Sequence, residues 1–250
     1  MSLSARARSL ATLGGRSAIR RSWSPAGVAG ALGLGAWAGL FWFVMLSGRG
    51  PLYLSSRTDW VIPIGAVLLT LGAFGKLTAA RTTHAEPLTR RGALRFAIVV
   101  LPVVVVLALP PTALGSFAVA RRSTFAAADI GGDISSGRLG ILDVAAGLQS
   151  RDQMEKLVRR AGERIALLGF VTLDDGAAAD EFTLNRFIVS CCVADALNVQ
   201  VRVVGAPPAK LVEDDWVRVK GRMYPLGREI VVDAERLDEV DRPKRPYVTP

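Results

Sequence analysis

Three long uncharged runs in the first 120 residues constrain this chain more than any other feature. Ser22 to Gly48 is 27 residues without a charge, and it carries Trp37, Leu40, Phe41, Trp42, Phe43, Val44 and Leu46. About 20 apolar residues cross a bilayer as a helix, so a first span is expected at about Ala26–Leu46. Trp60 to Gly75 is a second run, extended to Ala80 if Lys76 snorkels toward the headgroups. Phe96 to Ala120 is a third, rich in Val and interrupted by Pro102, Pro110 and Pro111. The proline pair removes two backbone donors, so this span is expected to stop near Leu109.

Charge is divided as sharply as hydropathy. Residues 1–120 carry 12 Lys/Arg against Asp59 and Glu86, a net +10. Residues 121–250 carry 19 against 20, a net −1. A basic excess in the apolar half argues against nucleic-acid binding, which needs a positive face on a folded polar domain. It fits loop charges that orient a membrane protein. The N-terminal tail holds five Arg, and the second loop holds Lys76, Arg81, Arg90, Arg91 and Arg95. The first loop holds only Arg49 and Arg57. The expected topology is a cytoplasmic N-terminus and, after three crossings, a second half outside. Arg121 and Arg122 oppose it, leaving ten charges inside against four outside. The apolar stretch is too long for a cleaved signal peptide, which favours an uncleaved anchor, although the Arg- and Ser-rich start also has the composition of a mitochondrial presequence. An apolar content of 50% excludes disorder across the whole chain.

Within the first span Gly27, Ala31, Gly35 and Gly39 recur every four residues. On a helix they form one ridge of small side chains, where another backbone can approach closely. Two uses are open: packing within this protein's own spans, and docking of a partner.

The second half changes period. Ser150 to Gln153 has the pattern of a capping box, and Met154, Leu157, Val158 and Ala161 follow on one helix face. From Glu163 the apolar period is two. Five short strands are expected: over 163–173, 182–189, 199–203, 215–221 and from 229. Five strands in about 80 residues favour a small closed sheet, and a five-stranded barrel of the oligonucleotide/oligosaccharide-binding (OB) kind is the expected fold. Trp216, Arg218, Lys220 and Arg222 share one strand face, a weak basic stripe read here as a solvated outer face. The expected plan is a basic cytoplasmic tail (1–24), a three-span membrane domain (25–120), a linker (121–149) and an extracytoplasmic barrel domain (150–250).

The most unusual string is Arg186-Phe187-Ile188-Val189-Ser190-Cys191-Cys192-Val193-Ala194-Asp195-Ala196. Two thiols stand near a carboxylate at a strand end, and soft thiolates bind zinc or copper(I). Neighbours on a regular strand point to opposite faces, so Cys191, Cys192 and Asp195 share an ion only if the chain bends at Ser190–Cys192. The other reading is that one Cys fills the core as a small apolar residue. Two adjacent cysteines exclude a disulfide framework. A single His, His84, excludes multi-histidine zinc hydrolysis. Ser190 lacks a nearby base, and no glycine loop with Lys cradles phosphate. The Asp174, Asp175, Asp180 and Glu181 group reads as a hairpin tip. The expectation is therefore a non-enzymatic protein.

The order of features resembles the YcgQ family of bacterial membrane proteins, subunits of a two-component permease. The resemblance rests on three spans, the proline pair with Leu114-Gly115-Ser116, Gly169-Phe170-Val171, the Arg186 to Ala196 string, Asp215-Trp216-Val217-Arg218-Val219-Lys220-Gly221, and Arg245-Pro246-Tyr247. It implies a multi-span partner of the YcgR type in the bacterial cell membrane, and it implies no catalytic residue. Two functions of different class follow: an accessory permease subunit whose exported barrel acts in substrate capture or gating, and a membrane-anchored extracytoplasmic metal-binding protein.

Overall fold

A computed structural model describes residues 22–82, 86–109, 112–119, 134, 137–174, 176, 178, 180–205, 211–227 and 229–250. Residues 1–21 of the expected cytoplasmic tail, His84, the Pro110–Pro111 pair and most of the Ala-, Gly- and Ser-rich linker lie outside the described residues. The chain divides into two units: Met1–Phe43 with Ile64–Leu109, and Val44–Pro63 with Pro110–Pro250.

The first unit is built on three helices long and apolar enough to cross a membrane: α1 (Pro25–Leu46), α2 (Val61–Ala79) and α3 (Arg90–Ala108). At 1.5 Å per residue they span about 28–33 Å, matching a hydrocarbon core of about 30 Å. Helix α3 starts six residues before the uncharged run. Thr89 caps it by accepting from the Gly92 N–H at 3.1 Å, and arginines are good helix formers. Pro102 lies inside α3 and lacks the N–H that would bond the Ile98 carbonyl. The Trp37 indole donates one residue further on, to the Val99 carbonyl at 2.9 Å. Trp42 donates to Thr70 Oγ1 at 3.1 Å, so α1 is bonded to both other helices. Elsewhere the helices expose Leu68, Leu71, Phe74, Leu94, Ile98 and Leu101, an apolar surface suited to lipid rather than water.

The second unit is a closed five-stranded barrel of the expected kind. Its strands are β1 (Arg164–Thr172), β2 (Phe182–Ile188), β3 (Leu197–Val204), β4 (Trp216–Leu226) and β5 (Glu229–Glu239), in the order β1-β2-β3-β5-β4 and back to β1. All pairings are antiparallel except β3 with β5. Period-two alternation turns Leu197, Val199, Val201 and Val203 inward against Val217, Val219, Met223 and Val232. Burial of β1 on both faces holds only in its second half, where Phe170 is buried outside the barrel.

Two helices precede the strands. Helix α5 (Ile141–Gln149), which follows a four-residue helix α4 (Ser116–Val119), lies inside the stretch expected to be linker. Its Val144, Ala145 and Ala146 join Leu157 of α6 (Arg151–Arg159) in the barrel core. The capping box expected at Ser150 does not form. The Ser150 N–H already closes α5 on the Ala146 carbonyl at 3.1 Å, so the Gln153 side chain finds no donor there and its buried oxygen has no partner. The reciprocal bond sits one helix earlier, where Asp143 accepts from the Gly140 N–H at 2.7 Å.

Strand β4 runs past its expected end because the ladder with β5 continues beyond Gly221 through a register shift. A Cβ at Gly221 would collide with the Asp233 carbonyl, which belongs to backbone and cannot swing away. Gly221→Ala is expected to destabilise the barrel by at least about 2 kcal/mol, read as a lower midpoint for loss of strand signal in circular dichroism of the detergent-solubilised protein; a wild-type midpoint contradicts this packing.

Candidate functional site

The chain leaves β2 at Ile188 and turns sharply before β3, and one carboxylate makes the turn. Asp195 Oδ1 accepts from the Ser190 N–H at 3.0 Å. Its Oδ2 accepts from the Cys191 N–H at 2.7 Å and the Cys192 N–H at 3.2 Å. Three successive amides are gathered on one acceptor, with a single 3₁₀ turn over Val193–Asp195 bringing it into place. With the amides turned inward, the carbonyls of Ser190 and Cys191 are left to bond elsewhere.

They bond to the loop between α1 and α2. Ser55, which is buried, donates its N–H to the Cys191 carbonyl at 3.1 Å and its hydroxyl to the Ser190 carbonyl at 2.8 Å. The Thr58 hydroxyl donates to the same Cys191 carbonyl at 2.6 Å. The Val193 N–H donates to the Tyr53 carbonyl at 2.9 Å, and Leu54 pairs with Cys192 as an isolated antiparallel bridge. The C-terminal segment closes the other side. It lies beside β2 through Val189 and Val248, and it adds an Arg245–Asp59 ion pair at 2.6 Å and a Ser56–Thr249 hydroxyl bond at 3.1 Å.

The remaining unusual strings converge on the same end of the barrel. Ser116 donates its N–H and hydroxyl to the Asp214 carboxylate at 2.6 and 3.0 Å, and the Leu114 N–H bonds the Tyr247 hydroxyl at 3.0 Å. Leu114, Ala118 and Val119 cover a small outer cluster of Phe170, Phe187, Val189 and Ala196. Arg186 is buried beside it, with its guanidinium 4.8 Å from the Trp216 ring and donating to the Leu168 and Arg245 carbonyls. Loss of water lowers its pKa to about 10, which leaves it charged at neutral pH.

Cys191 is exposed and Cys192 half-buried, and both are free thiols. The bend does bring the ligand atoms of Cys191, Cys192 and Asp195 within 4.8 Å of one another. No further His, Cys, Asp or Glu joins that group among the described residues, and the Asp195 oxygens are already held by three amides. The Cys191 thiol is pushed up to about 11, first by its hydrogen bond to Asp195, then by Cys192. Desolvation raises the Asp195 carboxyl, but the Cys191 thiol and the three amides outweigh it and hold it below the usual carboxylate range. A depressed carboxyl stabilises the fold above its unfolded pKa and loses that contribution as pH falls through the folded value. A thiol raised in this way holds little thiolate at neutral pH, the form that reacts.

Residues 151–250, which comprise helix α6 and the whole barrel, match the family model described as the DUF1980 C-terminal domain. No curated protein matches the chain significantly.

The ridge of α1 divides in use. Ala31 is buried, and a Cβ at Gly27 would stand 2.9 Å from that of Ala80, so these two face the protein's own second helix. Gly35 and Gly39 are exposed with no atom within 4 Å of a built Cβ. The stripe on β4 is interrupted: Trp216 turns into the outer cluster, Arg218 faces Asp238, and Arg222 pairs with Glu235 at 3.1 Å. Sequence reasoning did not find Ser55, Thr58 or Asp59. Their only signal was a polar run, Ser55 to Asp59, in an otherwise short loop between two apolar helices.

A thiol shifted from about 9 to about 11 has about a hundredfold less thiolate at pH 8. Alkylation of Cys191 by iodoacetamide at pH 8 is expected to be slower by that order than for an unperturbed thiol, and Asp195→Asn is expected to accelerate it. Mass-spectrometric rates at two pH values check this. Fast alkylation of the wild type near neutral pH contradicts the hydrogen-bonded thiol.

Proposed function

We propose that this protein is a non-enzymatic accessory subunit of a two-component permease in the bacterial cell membrane, with its barrel acting outside the cytoplasm as a gating element. One observation carries the reading: the loop joining α1 to α2 is clamped to the barrel at Ser190–Val193 through Tyr53, Ser55 and Thr58. That loop is only 14 residues long. A displacement of the facing ends of α1 and α2 is therefore passed to the barrel, and the reverse, which is what a gate requires. The barrel interior is filled by its own apolar side chains, which favours gating over capture of a substrate inside the barrel. The permease itself comes from the resemblance to the YcgQ family, and the partner it implies is a multi-span subunit of the YcgR type.

The loop charges support a cytoplasmic N-terminus. The clamp supports the same number of crossings by a different route, since it requires the first loop and the barrel to share one side, as three spans do. The open half of the α1 ridge, Gly35 and Gly39, supplies the docking surface for the partner. Inside lipid the hydrophobic effect does not drive helices together, so association depends on close backbone approach. Purification from the native membrane in mild detergent is expected to recover a multi-span protein in fixed ratio. Gly35→Leu with Gly39→Leu is expected to abolish that recovery while the chain stays inserted, because Leu fits the open space and favours the bilayer. Leu32→Ala, at an exposed position off the ridge, is expected to leave it intact. Purification of the wild type alone removes the permease reading.

A second reading, a membrane-anchored zinc or copper(I) protein, is favoured by one fact, the proximity of three ligand atoms on Cys191, Cys192 and Asp195. Metal analysis of the same preparation, made without chelator, separates the two: stoichiometric metal that disappears in Cys191→Ser with Cys192→Ser supports the second reading, and metal-free protein eliminates it.

A further inference from the structure

The first unit contains a groove of about 420 Å³ among its three helices. One wall is the small-residue face of α1, with Ala29, Gly30 and Gly33, and the other is Phe96 and Val99 of α3. Among the described residues two cations line it, Lys76 in the last turn of α2 and Arg95 of α3, and no acidic residue does. Glu86 lines an adjoining hollow that shares Ala26 and Lys76 with this groove, and it makes no ion pair with Lys76. Among the described residues neither Lys76 nor Arg95 makes an ion pair.

Both cations belong to helices that cross a bilayer by length and hydropathy. Lys76 is the only charged residue in α2. Its Cε stands 2.9 Å from where a Cβ of Gly30 would be, so the side chain is laid along α1 in space that only glycine leaves. Helix α3 adds a second positive source. Its first turn carries Arg90 and Arg91 with no acid, which places cations at the positive end of the helix dipole. That arrangement is unfavourable unless an anion sits nearby. The groove therefore combines a cationic rim with an apolar lining, closed at its floor where Phe96 and Val99 pack against the buried Gly33.

We infer that this groove binds an anionic phospholipid, with its phosphate between Lys76 and Arg95 and an acyl chain against the open apolar lining at Leu34 and Leu88. Charge complementarity selects the headgroup, and the apolar lining selects a lipid over a free anion. Cationic pockets between membrane helices recognise anionic headgroups in this way. The inference depends on the three helices spanning a bilayer and is independent of the permease partner.

The test is native mass spectrometry of the full chain released from discs containing equal phosphatidylglycerol and phosphatidylcholine. The wild type is expected to retain one phosphatidylglycerol in preference to phosphatidylcholine. Lys76→Gln with Arg95→Gln is expected to weaken that retention about thirtyfold. Arg57→Gln with Lys244→Gln, an equal charge loss at exposed sites elsewhere, is expected to leave it unchanged. Wild-type helical content of the double variant in the same discs, read by circular dichroism, guards against misfolding as the cause of the loss. Equal retention of the two lipids by the wild type overturns the inference. So does displacement of the lipid by millimolar inorganic phosphate, which marks a free-anion site. Failure of the wild type to enter discs removes the spans, and the lipid site with them.

Discussion

The Asp195 carboxylate imposes the geometry on which the motif-bearing end of the barrel depends. It faces three consecutive amides, from Ser190, Cys191 and Cys192. Hydrogen bonds to a charged acceptor are worth about 1.5–3 kcal/mol each, so the turn they enforce outweighs the extended conformation that β2 would otherwise continue. Reversing the amides reverses the carbonyls. Those of Ser190 and Cys191 then accept from Ser55 and Thr58, and a loop far away in sequence becomes part of the barrel's edge. Without the carboxylate, three amides and two carbonyls lose their partners together.

This arrangement also explains why two cysteines stand in so polar a turn. Cys191 is exposed, and the neighbouring Asp195 carboxylate pushes its thiol up to about 11. The backbone of the cysteine pair carries the contact with the loop, while the side chains face the carboxylate. The same bend that brings the two sulfurs toward Asp195 uses up that carboxylate's oxygens. The turn is held by these amide bonds whatever the sulfurs bind.

Much of the architecture was legible in the sequence, and the parts that were not share a cause. The spans followed from uncharged length alone, and the misplaced start of α3 came from treating Arg90, Arg91 and Arg95 as outside a helix they begin. Strand positions followed from the period-two pattern, but β4 was cut at Gly221, which looks like a terminator and is a crossing point with Asp233. Helix α5 was hidden because Ala145, Ala146 and Gly147 resemble linker composition, and only burial against Leu157 shows their use. Cys191, Cys192 and Asp195 were picked out by residue type and do come together. Ser55, Thr58 and Asp59 were invisible, since nothing in a 14-residue loop declares a partner more than 130 positions away. Local pattern encodes elements, whereas the clamp exists only in the tertiary fold.

The proposed gating role depends on the loop staying bound to the barrel, and one cross-link reads that directly. Ser56 and Thr249 face each other with hydroxyls 3.1 Å apart. In a chain with Cys191→Ser and Cys192→Ser, the pair Ser56→Cys and Thr249→Cys is expected to oxidise in intact membranes, joining the tryptic peptides that carry positions 56 and 249. Quantitative linkage within one chain is the result the clamp predicts. Two cysteines that remain separately alkylated after oxidation would show the first loop and the barrel apart, and would contradict it.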